Sequence, residues 1–289
     1  MELVLGTVQM GIEYGIYNKT GKIETSDAIR ILEYAYENGV RTLDTAEVYG
    51  TAHKVIGDYH KLHPNNKFNI ITKLPKNILI ESVKGKIEQY LNDLRVSSIY
   101  LLMCHDFATY RQNHELATHM LASVKSDIVT KIGVSVYTNA QITNLLNDEK
   151  KVDVIQLPYN LLDNKFQRGH ILEQMKIMGV SANTRSPFLQ GMFFLDECSS
   201  NHAYLYLSPY INKLKGIANS AGISMQTLAL QYSYLNKLSE SVIIGVDSLD
   251  QLKLNLDIIS DQFISDEIVD LIDRIEVQNI DFLNPSLWK

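Results

Sequence analysis

Short apolar runs recur along the chain, and longer stretches of helical periodicity fall between them. The runs Leu3–Leu5, Arg41–Leu43, Phe68–Thr72, Ile99–Met103, Lys131–Val134, Val152–Ile155, Val180–Ala182 and Val242–Ile244 predict eight strands. Most are apolar throughout rather than alternating, the pattern of parallel strands buried on both faces. Thr25–Asn38 places Ala28, Ile31, Leu32 and Ala35 on one helical face, and Gly39 follows as a C-terminal stop. Val83–Leu94 does the same with Val83, Ile87, Leu91 and Leu94. Ala140–Asn147, Lys165–Met178, Tyr210–Ala221, Ser224–Leu238, Leu249–Ile258 and Asp266–Ile275 complete the predicted helices. Strands alternating with helices in this number predict an α/β fold, a (β/α)8 TIM barrel. An open doubly wound sheet competes with it. That reading is weakened because the first strand–turn, GTVQMG, lacks a GxGxxG run and no predicted helix follows it directly.

No repeat, low-complexity tract or Pro/Gly-rich linker divides the chain, so residues 1–289 are expected to form one barrel domain. The irregular stretches His105–Asn113 and Ser186–Leu207, the tail after Ile275 and the Gly- and Tyr-bearing loop Val8–Glu24 are expected on the catalytic face. There, loops after strands shape a barrel's pocket. A hydrophobic content of 45% supports a sizeable core. A net charge of −6 without a basic block argues against nucleic acid or an acidic membrane as partner. Cys104 and Cys198 are the only cysteines, too few for a disulfide framework, which fits a reducing, cytoplasmic compartment. The start, MELVLGTVQMG, lacks the form of a signal peptide, and no apolar run reaches the roughly 18 residues of a membrane span. Oligomeric state is not legible.

Four polar residues sit at or just beyond the ends of apolar runs: Asp44 and Tyr49 within GVRTLDTAEVYG, Lys73 ending NIITK, and His105 ending IYLLMCH. A barrel brings such positions to one mouth. A phenol has an ordinary pKa of about 10, too high for easy proton transfer near neutrality. A neighbouring ammonium lowers it. Lys73 is placed to do so, with Asp44 holding Lys73 charged and oriented, and His105 hydrogen-bonding the substrate oxygen. Gly50 allows a tight turn beside Tyr49. Singly, each residue has a structural reading: there are 16 tyrosines, and a strand-end Asp often caps a helix. Together, at successive strand ends, they point to proton transfer to a carbonyl oxygen.

Here the sequence resembles the aldo-keto reductases, through LGTVQMG, GVRTLDTAEVYG, ITK, LLMCHD, IGVSVY, VIQLPYN, SPFLQG and IIGVDSLDQLKLN. The resemblance spans nearly the whole chain and implies a (β/α)8 barrel that reduces a small-molecule aldehyde or ketone with a nicotinamide cofactor held without a Rossmann fold. It implies Tyr49 as proton donor, Lys73 and Asp44 as its tuning pair and His105 as the residue that orients the carbonyl. It maps Ser135 and Gln156 to the nicotinamide carboxamide, Gly6 and Thr7 to the nicotinamide ribose, Ser186 and Pro187 to the pyrophosphate side, and Gly245 through Asn255, including Asp247 and Gln251, to the adenosine end.

Four departures from the family pattern matter. Val136 stands where Asn commonly follows the Ser, which removes one carboxamide hydrogen bond. Arg185 stands where an aromatic residue commonly stacks on the nicotinamide. A guanidinium plane can stack too, or it can grip an anionic group on substrate or cofactor. His53 replaces a common Glu. Asp247 lies where NADPH-preferring members often carry Lys, Arg or Ser. A carboxylate repels a 2′-phosphate and accepts from a 2′-hydroxyl, so NADH is expected to serve at least as well as NADPH.

The tail ends at NPSLWK, short for the family, and is expected to leave the pocket open to a bulky or sugar-like substrate. Arg185 and RSPFLQG are similar to a bacterial subgroup associated with surface-carbohydrate pathways. A second reading is a cofactor-binding sensor or accessory subunit with little turnover, like the reductase-like subunits of ion channels. A third, an aldolase with Lys73 as Schiff base, is disfavoured because Asp44 would keep Lys73 protonated. His60 and His63 lack partners for a metal site and are expected at a solvated helix end. Alternation points the side chains of Cys104 and His105 apart, and Ser135 and Ser186 lack a GxSxG elbow.

Overall fold

The computed structural model describes residues 1–112, 120, 128–149, 152–196, 199–261 and 263–288. Eight parallel strands close a barrel in sequence order: β1 Glu2–Gly6, β2 Thr42–Asp44, β3 Asn69–Leu74, β4 Ile99–Cys104, β5 Val129–Ser135, β6 Val154–Pro158, β7 Ser181–Arg185 and β8 Ser241–Gly245. β8 returns to β1, with Gly6 opposite Gly245 on one side and Asp44 on the other. The doubly wound alternative is thereby excluded.

Alternation along each strand sends one set of side chains into the barrel and the other out to the helices. Val4, Ile71, Leu101, Met103, Val154 and Ile243 fill the interior as one buried cluster. Two residues beyond Ile71 on the same face comes Lys73, and two beyond Val154 comes Gln156. The interior therefore turns from apolar to polar toward the C-terminal mouth. The outward set, including Leu5, Leu43, Ile70, Leu102, Ile132 and Ile155, packs with the helices in a second, larger cluster.

The helical layer departs from the sequence expectation in four places. A single turn, α1 Val8–Gly11, does follow β1 directly. A full helix at Ala52–Leu62, absent from the predicted set, buries Ala52, Val55, Ile56 and Tyr59; interspersed His53, Lys54, Asp58, His60 and Lys61 dilute its apolar stripe. The stretch expected to be irregular after β4 forms a helix at Phe107–Gln112, opened by the Thr109 amide donating to Asp106 Oδ1 at 2.7 Å. Asn113 lies outside the described residues. The helix expected from Tyr210 begins at His202 and runs to Ser220 through Pro209. Proline takes the amide that would have bonded Leu205 O, and the Ser208 hydroxyl donates to that carbonyl at 3.0 Å instead.

Among the described residues, no helix is long and apolar enough to cross a membrane.

Candidate active site

The loop after β2 is pinned by two backbones in contact. Gly50 has φ +58°, and a Cβ there would lie 2.6 Å from the Gly11 carbonyl oxygen. A Cβ on Gly11 would lie 1.6 Å from the Tyr49 carbonyl oxygen. Only glycine fits both positions, and the pair fixes Tyr49 against α1 at the barrel mouth.

Below Tyr49, Lys73 Nζ donates to Asp44 Oδ1 at 2.6 Å, Asp44 Oδ2 at 2.7 Å and the Thr45 carbonyl at 3.1 Å. Both side chains are buried. Burial lowers the Lys73 pKa more than Asp44 raises it, and Arg185 adds to the lowering. Lys73 Nζ sits 5.3 Å from the centroid of the Tyr49 ring. The expectation that Lys73 lowers the phenol is not met here. All three ammonium protons point to Asp44 and Thr45, and the phenol is pushed above its ordinary value by burial and then by the Asp44 charge, with Arg185 opposing. Tyr49 is a neutral, fully protonated phenol.

His105, just beyond β4, meets the Tyr49 ring edge to face at 6.3 Å between centroids. Burial, then the Lys73 charge, lowers its pKa to about 4, so the imidazole is neutral at pH 7. Nδ1 is buried without a partner among the described residues. That leaves Nε2 as the nitrogen open to the cavity, and we assign it the proton. Cys104, its neighbour, points into the core with its sulfur 3.6 Å from Met120 Sδ. Burial raises its pKa to about 12, which removes a Cys–His nucleophile. Cys198 lies outside the described residues.

Asp44, Tyr49, Lys73 and His105 line one end of a cavity of about 690 Å³. Of the residues mapped to a nicotinamide cofactor, Gly6, Thr7, Ser135, Gln156, Arg185, Ser186, Pro187, Gly245, Asp247, Gln251 and Asn255 line it as well, whereas residues 246, 248–250 and 252–254 of the adenosine-end run do not. Their free groups differ from the simple expectation. Gln156 Nε2 donates to Asp44 Oδ2 at 2.8 Å, which leaves its carbonyl oxygen as the group a carboxamide can reach. The Thr7 hydroxyl and amide both donate to the Asp44 carbonyl, at 3.1 and 3.0 Å, so Thr7 braces β2. Val136 is buried and its amide donates to Gln156 O at 2.8 Å. At the far end Asp247 accepts from Asn18 Nδ2 at 3.4 Å, its amide donates to Gln251 Oε1 at 2.8 Å, and burial raises its pKa. The cations lining the cavity among the described residues are Lys73, Lys76 and Arg185, none of them on the 245–255 segment. A Ser135 hydroxyl and a Gln156 oxygen without partners among the described residues, with a far end of Asp, Gln and Asn, suit a nicotinamide dinucleotide.

Sequence reasoning did not name Gln9, Tyr14, Tyr17, Lys76, Asp106, Tyr137, Phe188, Gln190 and Phe194, which also line the cavity. Their signals were membership of the loops after the strands and, for Gln9, Asp106, Tyr137, Phe188 and Gln190, a place within the runs that carry the family resemblance. Ile16 N donates to Gln190 O at 3.2 Å and Gln190 Nε2 to the Tyr14 hydroxyl at 2.8 Å, tying the loop after β1 to the loop after β7. The tail also reaches the cavity through Pro285 and Ser286, so the short tail does not leave the mouth bare. His53 lies outside the barrel wall, its Nε2 2.9 Å from Thr72 Oγ1.

His60 corrects a second expectation. It is buried rather than solvated, with Nδ1 2.7 Å from Leu94 O and Nε2 accepting from the Phe68 amide at 3.1 Å. His63 instead meets Glu33 at 2.9 Å. Among the described residues, no group of His, Cys, Asp and Glu is arranged to hold a metal.

The chain is similar to L-galactose dehydrogenase of Arabidopsis thaliana, 26% identical over 82% of this chain and 79% of the relative. It is similar to a 6-dehydroglucose reductase of Novosphingobium aromaticivorans, 25% identical over 73% and 72%. A probable voltage-gated potassium channel subunit beta of Oryza sativa is 21% identical over 91% and 92%. The structure of aldo-keto reductase AKR11C1 from Bacillus halodurans in its holo form superposes with a TM-score of 0.80 at 19% identity, over 96% of this chain and 93% of that one, a likeness of fold. The sequence model of the Aldo/keto reductase family matches residues 2–277, and the chain belongs to that family.

Proposed function

We propose that the protein reduces an aldehyde or ketone of sugar type to an alcohol, or runs the reverse oxidation, with Tyr49 as proton donor. One observation carries this: a neutral phenol and a neutral imidazole stand over a buried Lys73–Asp44 pair at one end of a cavity whose other end suits a dinucleotide.

A bound reduced nicotinamide would supply the hydride to the carbonyl carbon. The protein does the rest. His105 Nε2–H hydrogen-bonds the carbonyl oxygen and orients it. As that oxygen gains charge, Tyr49 Oη hands over its proton. The phenolate left behind faces the Lys73 ammonium beneath its ring, and Asp44 with Gln156 keeps that ammonium in place. Ser135 Oγ and Gln156 Oε1 would hold the carboxamide. Asp247 would accept from an adenosine ribose 2′-hydroxyl, and among the described residues no cation of its segment lines the cavity, Lys253 lying instead by Asp250 and Tyr34, which disfavours a 2′-phosphate. NADH is therefore expected to serve at least as well as NADPH. The sugar-type substrate takes support from two similar proteins named for sugar oxidoreduction.

The rice relative supports a second reading, a cofactor-binding subunit with little turnover. The missing carboxamide partner at Val136 favours it, and the complete set Asp44, Tyr49, Lys73 and His105 counts against it. A panel of sugars, nucleotide sugars and simple aldehydes, followed by NADH oxidation, separates the two. Turnover on sugar-type carbonyls supports reduction. Activity confined to small aromatic aldehydes contradicts the sugar assignment, and cofactor binding with no turnover supports the subunit.

A further inference from the structure

Arg185 ends β7, is half-buried and lines the same cavity as Tyr49 and His105. The other charged side chains deep in this region are paired. Lys73 meets Asp44, and Arg168 meets Asp163 through Nε at 2.5 Å and Nη2 at 2.8 Å. At the rim, Lys76 meets Asp106 at 3.2 Å. Arg185 has no carboxylate within ion-pair distance among the described residues.

The guanidinium is nonetheless held in place. Nη2 donates to Val136 O at 3.2 Å, Nη1 reaches Ser186 Oγ at 3.4 Å, and the plane lies 4.4 Å from the centroid of the Tyr137 ring. Tyr137 is itself fixed: its carbonyl accepts from Arg168 Nη2 at 2.6 Å and its amide donates to Gln141 Oε1 at 2.8 Å. Two of the five N–H groups of a guanidinium are engaged, and the rest have no acceptor among the described residues. Asp163 feels the Arg185 charge but is already paired with Arg168, and a fixed, partly desolvated guanidinium with no bonded carboxylate is costly unless a ligand brings one. Its planar fork matches a carboxylate.

We propose that Arg185 binds a carboxylate carried by the carbonyl substrate, so that the preferred substrates are acidic sugars or other carbonyl acids. The proposal rests on reading the cavity as a carbonyl-reducing site. Arg185 is braced on the β5 side by Val136 and Tyr137. It also reaches Ser186, mapped to the pyrophosphate side, so a cofactor phosphate is the competing counter-charge and NADH affinity separates the two. Its charge is felt at Tyr49 and at Tyr14, where it opposes the burial that raises both phenols. An anion at Arg185 thus lies in the field that acts on the proton donor.

The test compares 4-carboxybenzaldehyde with its methyl ester, and D-glucuronate with D-glucose, as substrates with NADH, for wild type, R185K and R185M. Benzoate is titrated calorimetrically into each protein–NADH complex, and NADH affinity is measured alongside. Charge-assisted bidentate contacts predict that wild type favours the acid in each pair by at least about tenfold in kcat/KM. R185M should bring that ratio close to one and abolish benzoate binding, with R185K in between. Equal kcat/KM for acid and neutral partner in wild type overturns the proposal. So does an R185M variant that weakens NADH binding while leaving the ratio unchanged. If no carbonyl is reduced, the functional reading fails, and benzoate binding lost in R185M still decides whether the anion site exists.

Discussion

Lys73 and Asp44 form a two-pronged ion pair, with Nζ 2.6 and 2.7 Å from the two carboxylate oxygens and both side chains buried. Thr45 O and Gln156 Nε2 complete the shell. Removing one member leaves the other charge buried and unpaired. Lys73→Met and Asp44→Asn are each expected to lower stability by about 3–5 kcal/mol in urea unfolding. The double variant should lose clearly less than the sum, because neither charge is then stranded. Additive losses would contradict the pairing.

Gly50 should tolerate no side chain. At φ +58° and with a virtual Cβ 2.6 Å from Gly11 O, Gly50→Ala must move the turn that carries Tyr49. A loss of about 1–3 kcal/mol is expected in thermal or urea unfolding. Gly39 also has a positive φ, +88°, but a Cβ there meets nothing within 4 Å. Gly39→Ala therefore isolates the backbone term and should cost less.

Stability should fall in mild acid. His53 and His60 are buried, and burial lowers the pKa of each to about 4 from an ordinary 6.5. The unfolded chain therefore binds protons between pH 6.5 and 4 that the folded chain refuses. The contribution is full above about 6.5 and is lost as pH falls through that window, by up to about 3 kcal/mol for each residue. Urea midpoints measured from pH 7.5 to 4.5 check this. In His60→Gln the pH slope should shrink; a slope unchanged by that substitution would contradict the assignment.

Asp247 should set the choice between dinucleotides. In Asp247→Arg the affinity for NADPH is expected to rise relative to NADH by about tenfold or more. Trp288 serves as a fluorescent reporter. Its Nε1 donates to Phe282 O at 3.0 Å, and it follows the cavity-lining Pro285 and Ser286. Wild type that binds NADPH clearly more tightly than NADH would contradict the reading.

The barrel was legible because parallel strands buried on both faces leave short, mostly unbroken apolar runs. The strand ends were less so. Lys73, Ser135, Gln156 and Arg185 belong to strands, yet a search for apolar runs stops short of each. At the mouth the inward face turns polar for the sake of the site, so chemistry and apolar pattern conflict there. Asp44, Tyr49, Lys73 and His105 were visible through their common position at strand ends. Their electrostatics were not, since sequence does not show that Thr45 O and both Asp44 oxygens absorb the Lys73 protons. Tyr14, Tyr137 and Gln190 were hidden for another reason: loop residues carry no periodicity, and only the closed barrel brings the loops after β1, β5 and β7 to one cavity. The helix at Ala52–Leu62 was missed because buried His53 and His60 read as polar, although each is satisfied by a partner.

The central claim is that Tyr49 gives the proton in carbonyl reduction. The direct measurement is NADH oxidation with a reactive sugar-type or aldehyde substrate by wild type and Tyr49→Phe, with NADH affinity determined on the same samples. Loss of a general acid predicts a fall in kcat of about 10²–10⁴-fold with NADH affinity preserved. A Tyr49→Phe variant that binds NADH and turns over at the wild-type rate would contradict it.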